Sequence, residues 1–300
     1  MENLDPKTTM IIRAIQRRQQ CDQITDAYRL FNGFYEGYPG LVLDRYGSTL
    51  VIFNHGEPGE AHEIVQEITH WATNQVEWVE SVLLKERQHP SQEAKNGLLI
   101  AGSRLPERIS EFGVRYALDL QMNQDAGFYL DTRNLRQWLI DNVRGLRVLN
   151  TFAYTGSLGV AAGAGGAAQV VQTDLNEQFL QVARRSWVLN DLPETRCRLL
   201  PGDYFRVAGR MRNEARLFDC VILDPPFFST TEAGTVDLQN ETTRLLNKIR
   251  PLVAHEGWLV LINNALFLPG STFMEEIDKL CQSDYLSLAE IIPVPPDVTG

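Results

Sequence analysis

Asp224-Pro225-Pro226-Phe227-Phe228 brings one carboxylate, two prolines and two aromatic rings together at the end of the apolar run Phe218-Asp219-Cys220-Val221-Ile222-Leu223. The run reads as a short buried strand, which the prolines cannot continue. They set a stiff turn and leave its backbone carbonyls available as acceptors. A ring beside such a turn can stack on a flat heterocycle drawn out of its helix. Asp224, Pro225 and Phe227 are therefore candidates to hold a nucleobase, its edge against the carboxylate and its face against the ring. Taken alone, the motif also fits a strand that stops at an Asp-Pro turn with two core phenylalanines.

Three earlier segments end in the same way. Arg147-Val148-Leu149-Asn150-Thr151 runs into Phe152-Ala153-Tyr154-Thr155-Gly156, and an Ala/Gly-rich helix follows. A glycine turn at the carboxyl end of a first strand lets a ligand approach the backbone, in the usual crevice of an open α/β sheet. Gln169-Val170-Val171-Gln172-Thr173-Asp174 is a second strand ending in an acid, which in doubly wound folds accepts hydrogen bonds from ribose hydroxyls. Cys197 to Asp203 repeats strand-then-acid, well placed for an adenine amino group. Together with Asp224, these endings point to a nucleoside-containing cofactor.

NAD(P) and S-adenosylmethionine both suit that layout. NAD(P) needs a Gly-x-Gly-x-x-Gly pyrophosphate cradle after the first strand, whereas the turn here holds Gly156 alone. Gly163-Ala164-Gly165-Gly166 falls where a helix would end and reads as a C-terminal cap. S-adenosylmethionine is the better fit.

Gly127-Phe128-Tyr129-Leu130-Asp131-Thr132-Arg133, followed in order by Val148 to Gly156, Val171 to Asp174, Gly202-Asp203 and Leu223 to Phe228, resembles a family of S-adenosylmethionine-dependent large-subunit ribosomal RNA methyltransferases. The resemblance spans roughly residues 25 to 290. It implies an α/β fold, a Rossmann-like methyltransferase domain preceded by a small α+β domain. It also implies that Phe128, Asp131 and Arg133 lie against the cofactor, with Phe152, Tyr154 and Gly156 beside its methionine end. Asp174 would take the ribose and Asp203 the adenine, Leu175 and Tyr204 would also bind the cofactor, and Asp224 with Phe227 would face the target base. For Asp131 and Arg133, a surface salt bridge at a helix start is the alternative.

Branches of this family differ in chemistry. Methylating cytosine at C5 requires a thiolate to add to the ring first, and members that do so resemble one another in a cysteine just after the fifth strand. Here that strand, Gly257 to Ile262, ends in Asn263-Asn264. Cys220 lies inside a strand, Cys197 begins one, Cys21 precedes the domain and Cys281 sits late in a helix. The Asn-Asn pair looks instead like the guanine-N7 branch, in which Asn263 would hold the base edge and catalysis is positioning plus electrostatics. Transfer to an exocyclic amino group is nearly as compatible.

Composition fits a cytoplasmic enzyme without metal or membrane span. The 300 residues are 44% hydrophobic, no apolar run reaches transmembrane length, and Met1 to Asp5 does not open a signal peptide. The four cysteines and five histidines show no metal-ligand spacing. A net charge of -10 argues mildly against wrapping a polyanion, so RNA binding would be local, through Arg13, Arg17 and Arg18 or through Arg184, Arg185, Arg196 and Arg198.

The pattern divides the chain into a basic N-terminal helix (1–25), a small α+β domain (26–122) and the methyltransferase domain (123–300). A hairpin is expected over Leu41 to Phe53, a helix over Ala61 to Gln75, strands over Val79 to Leu84 and Leu98 to Ala101, and a second hairpin turning at Phe112-Gly113. Near the C-terminus, Ser271 to Cys281 reads as a helix and Leu286 to Pro293 as a strand. The proline-rich Val294 to Gly300 cannot supply the closing antiparallel strand, so truncation is expected. The family's usual extra RNA-binding module is not expected within the residues ahead of the first hairpin. Methylation of a ribosomal RNA base is the leading reading. A protein or small-molecule methyltransferase, and a non-catalytic RNA-binding assembly factor, stay open, as does the choice between monomer and homodimer.

Overall fold

The computed structural model describes residues 4–18, 24–232, 234–237, 242–263, 270–282 and 285–299. Two compact units emerge: Met1–Asn134 with Val294–Gly300, and Leu135–Pro293. The boundary expected after residue 122 thus falls twelve residues later, and the last residues group with the first unit rather than the second.

In the first unit, α1 (Pro6–Arg18) precedes β1 (Ala27–Asn32), the short α2 (Gly33–Glu36), β2 (Leu41–Tyr46), β3 (Thr49–Asn54), α3 (His62–Gln75), β4 (Ser81–Glu86), α4 (Gln92–Asn96) and β5 (Leu98–Ala101). The strands form a sheet in order β1-β2-β3-β4-β5, antiparallel except for β3 and β4, which α3 connects. The apolar stripe of α3, Ile64, Val65, Ile68 and Ala72, packs into a core with Ile11 and Ile15 of α1 and with Leu30, Leu43 and Ile52. The basic N-terminal helix shares this core through Ile11, Ala14 and Ile15 and so groups with the small α+β domain. The polar stretch between β4 and β5 contains α4, which the sequence pattern did not reveal. Next, β6 (Arg108–Glu111) and β7 (Val114–Ala117) form the second expected hairpin. Its turn residues Phe112 and Gly113 both take left-handed φ, 51° and 76°, which matches the twist of the flanking strands.

Helix α5 (Arg133–Asn142) begins in the first unit and from Leu135 belongs to the second, which continues with β8 (Arg147–Thr151), α6 (Ser157–Ala164), β9 (Gln169–Asp174), α7 (Glu177–Leu189), β10 (Cys197–Pro201), α8 (Tyr204–Asn213) and β11 (Phe218–Leu223). A small hairpin, β12 (Phe228–Thr231) and β13 (Gly234–Asp237), precedes α9 (Thr242–Ile249), β14 (Val253–Leu261) and α10 (Gly270–Cys281). Five parallel strands run in order β10-β9-β8-β11-β14. The winding direction reverses between β8 and β11, and ligands of open α/β sheets bind at such a switch point. Apolar helix faces cover the sheet: Leu180, Val182, Ala183 and Trp187 of α7 are buried, as are Phe205, Val207, Ala208 and Met211 of α8.

Leu286 to Pro293, expected as a strand, is irregular and pairs with no strand among the described residues. Pro296–Thr299 forms a short helix, α11, that belongs to the first unit and packs on β1.

Candidate functional site

Ladder register puts the candidate residues of the second unit on one edge of the sheet. Thr151 is opposite both Thr173 and Leu223, Leu223 is opposite Leu261, and Asp174 is opposite Pro201. The residues that leave these strands, Phe152, Asp174, Gly202-Asp203, Asp224 and Ile262-Asn263, therefore emerge side by side. The ladder continues one step through Ile262, whose N–H donates to Leu223 O at 3.1 Å. Asn264, the other half of the expected pair, lies outside the described residues.

The turn after β8 has an unusual backbone. Phe152, Tyr154 and Gly156 take left-handed φ of 53°, 50° and 78°. Such values are uncommon for non-glycine residues and persist where surrounding contacts impose them, often at ligand sites. Only glycine fits at 156, because a Cβ there would fall 2.3 Å from Ala183 Cβ. The turn is held from the next strand: Asp174 Oδ2 accepts the Tyr154 N–H at 2.8 Å and Oδ1 accepts the Asn176 N–H at 2.9 Å. Burial raises the Asp174 pKa, and backbone donors from Asn176, Tyr154 and Leu175 oppose that rise. Beside this acid, Leu175 is 63% exposed.

Asp203 caps α8, accepting the Arg206 N–H at 3.1 Å, while its other oxygen accepts the Thr231 hydroxyl of β12. Sequence reasoning missed Thr231, because nothing in the pattern placed the hairpin beside the third strand end. Tyr204, expected at the cofactor, is buried; its ring stacks on Phe152 at 4.7 Å and its hydroxyl donates to Leu245 O at 2.9 Å. It supports the turn through Phe152. Tyr154 meets Phe179 edge-on at 4.5 Å.

In the Asp-Pro-Pro turn, Pro225 is buried and Asp224 is partly exposed. Phe227, expected to face a base, packs in part against the core around Leu223 and Val236. Phe228 is the ring that stands in solvent, 60% exposed at the start of β12.

Phe128, Asp131 and Arg133 belong to the first unit. Phe128 is buried there against Tyr116, ring centroids 5.0 Å apart. The Arg133 guanidinium is taken up by structural contacts. Nη1 and Nη2 donate to Asp297 at 2.7 and 3.0 Å, Nη2 also reaches Ala27 O at 3.1 Å, and Nε lies 3.3 Å from Glu111. The Arg133–Asp297 pair is buried, so it is not a surface salt bridge. Asp131 is partly buried.

Burial pushes the Cys220 thiol up to about 12 and the Cys197 thiol up to about 11, so both are neutral near pH 7. Cys281 packs against the core of the second unit. Among the described residues, no group of three or more His, Cys, Asp or Glu could hold a metal ion, and no helix is long and apolar enough to cross a membrane.

Comparison with known proteins fits this architecture. The family of S-adenosylmethionine-dependent methyltransferases matches residues 47–299. A curated relative from Photobacterium profundum, named ribosomal RNA large subunit methyltransferase I, is 32% identical over 218 residues, which are 70% of this chain and 53% of the relative. The chain thus spans about half the length of that relative. A putative methyltransferase solved in complex with SAH superposes with a TM-score of 0.87 at 24% identity, covering 98% of this chain and 78% of the other. A putative SAM-dependent methyltransferase from Streptococcus mutans superposes at 0.84 with 23% identity, covering 98% and 77%. Those two structures share the Rossmann-like fold. With the family match extending over most of its length, this chain belongs to the S-adenosylmethionine-dependent methyltransferase family.

Proposed function

We propose that the carboxyl edge of the parallel sheet binds S-adenosylmethionine and that the protein methylates a base of large-subunit ribosomal RNA in the cytoplasm, at a ring or amino nitrogen of a guanine. The observation that carries this reading is the register that lines up Asp174, Asp203, Asp224 and Asn263 along one edge beside the Gly156 turn. The residues fit the cofactor chemically. Carboxylates match its hydroxyl and amino donors, exposed Leu175 offers an apolar surface to an adenine, and the single-glycine turn has no pyrophosphate cradle. When bound, the cofactor supplies an electrophilic methyl group on a positively charged sulfur.

The chain's own residues bind and orient the acceptor. Asp224 accepts a hydrogen bond from the exocyclic amine of the base and Asn263 holds its edge, while Phe228 offers the exposed face. A nitrogen acceptor brings its own lone pair, so positioning and electrostatics suffice. The thiol positions favour nitrogen over cytosine C5, since Cys220 lies within β11 and Cys197 at the amino end of β10. RNA substrate is supported by the relative's name and by the exposed arginines Arg184, Arg185, Arg196 and Arg198.

Methyl transfer from labelled S-adenosylmethionine to protein-free large-subunit RNA, followed by nucleoside mass spectrometry, tests the reading. A methylguanine is expected, with kcat at least about a hundredfold lower for Asp224→Ala. 5-Methylcytosine as the product, or transfer to protein alone, contradicts it.

A further inference from the structure

The first unit presents aromatic rings that its core does not use. Phe34 and Tyr35, on α2, are 57% and 71% exposed. The four-residue helix that carries them is nonetheless rigidly mounted. A Cβ on Gly33 would lie 1.9 Å from Tyr38 O, Glu36 accepts the Asn32 N–H at 2.7 Å, and Arg18 pairs with Glu36 at 2.9 Å. Fixing two large rings in water gains the fold no burial, and adjacent exposed apolar surface of this kind marks binding sites.

Beside Phe34 opens a cavity of about 380 Å3, lined by Phe34, Tyr38, Asn54, His55 and Glu60 among others. That volume lies in the range of small-ligand pockets. The His55 ring meets Phe34 edge-on at 5.1 Å and 70°. Burial, with Arg87 and Arg29 nearby, holds His55 down to about 4, so its imidazole is neutral at pH 7. Glu60 adds a carboxylate to the lining, an acceptor for an exocyclic amine.

Charge beside the pocket is mixed: Asp5 and Glu60 lie near Tyr38, and α1 brings cations. Helix α1 carries Lys7, Arg13, Arg17 and Arg18 and no acid, and the first three are exposed. Lys7 Nζ sits 4.5 Å from the Tyr38 ring centroid, and Arg18 ties the other end of the helix to α2. Stacking surfaces flanked by a basic track are the arrangement that holds single-stranded nucleic acid.

We propose that this pocket takes an unpaired nucleobase of the RNA substrate, with Phe34 and Tyr38 of its lining as stacking surfaces, exposed Tyr35 next to Phe34 on α2 stacking a neighbouring base, and α1 carrying the adjoining phosphates. It is a second RNA contact, made on the first unit by residues other than those of the methyl-transfer edge, and it rests on the RNA reading above.

Fluorescence anisotropy with a fluorescein-labelled single-stranded RNA dodecamer and the full chain tests it. Phe34→Ala/Tyr35→Ala, which removes only exposed rings, should weaken binding about tenfold or more with an unchanged melting temperature. Arg13→Gln/Arg17→Gln should lower the slope of log affinity against log salt by about 1.4. A duplex of the same sequence should bind more weakly and ignore Phe34→Ala/Tyr35→Ala. Unchanged dodecamer affinity in that variant overturns the pocket, even if the protein methylates RNA. Absence of methyl transfer by the wild type, alongside the expected loss of affinity, would sink the catalytic reading and leave the pocket standing.

Discussion

Asp174 and Tyr154 are joined by a 2.8 Å hydrogen bond from the Tyr154 N–H to Asp174 Oδ2, which ties the end of β9 to the turn after β8. The bond spans the two strand ends next to the switch in winding direction, and it holds a backbone in which Phe152, Tyr154 and Gly156 all take left-handed φ. The carboxylate that should receive a ribose thus also shapes the turn beside it. One side chain would then serve both the turn and the ligand.

Stability should record that double duty. Burial is the largest influence on Asp174 and raises its pKa above 3.8. The folded state therefore holds this proton more tightly than the unfolded state, and the site's contribution to stability falls as pH rises through the window above 3.8. Urea unfolding of wild type and Asp174→Ala from pH 3.5 to 7 should show the wild type losing ground to the variant as pH increases. The opposite trend would mean that the backbone donors outweigh burial.

Arg133 and Asp297 form a buried bidentate pair within the first unit, and Asp297 also accepts the Arg29 N–H at 3.1 Å. Removing one partner leaves a buried charge, so Asp297→Ala should cost about 3–5 kcal/mol by chemical denaturation. Arg133→Met/Asp297→Leu should cost less than Asp297→Ala alone. Additive losses in the double variant would show that the two residues act separately.

Lys85 Nζ donates to the carbonyls of Asn96, Asn123 and Asp125 at 2.5, 2.9 and 3.0 Å. Lys85→Met leaves those acceptors without this donor and should destabilise by about 3 kcal/mol. Burial pulls Lys85 from 10.5 down to about 7, so the unfolded chain binds more protons between those values. The site's contribution should therefore rise as pH climbs from about 7 toward 10.5, read as a growing gap between wild type and Lys85→Met.

Nitrogen chemistry needs no thiolate. A variant with Cys21, Cys197, Cys220 and Cys281 all replaced by serine or alanine should retain methyl transfer within about threefold. Native Cys220, its thiol held near 12, should resist iodoacetamide at pH 8. Loss of activity on replacing any one cysteine, with folding intact, would point to attack on a carbon.

The strand ends were legible because apolar runs of the second unit stop in a turn glycine at 156 or in acids at 174, 203 and 224. Local signals also placed both hairpins and α3. Contacts distant in sequence were hidden. Nothing local couples Arg133 to Asp297, 164 residues later, or Asp203 to Thr231. Burial of Phe128 and Tyr204 was not legible either, because an aromatic side chain near a strand end suits packing and ligand stacking alike. Leu286 to Pro293 carries a strand pattern, yet strands need a partner edge, and none pairs with it among the described residues.

Calorimetric titration of the full chain with S-adenosylmethionine probes the sheet edge most directly. One-site binding is expected for the wild type, with affinity at least about tenfold weaker in Asp174→Ala through loss of a charge-assisted acceptor. No binding heat with the wild type, or equal affinity in Asp174→Ala, would contradict the account.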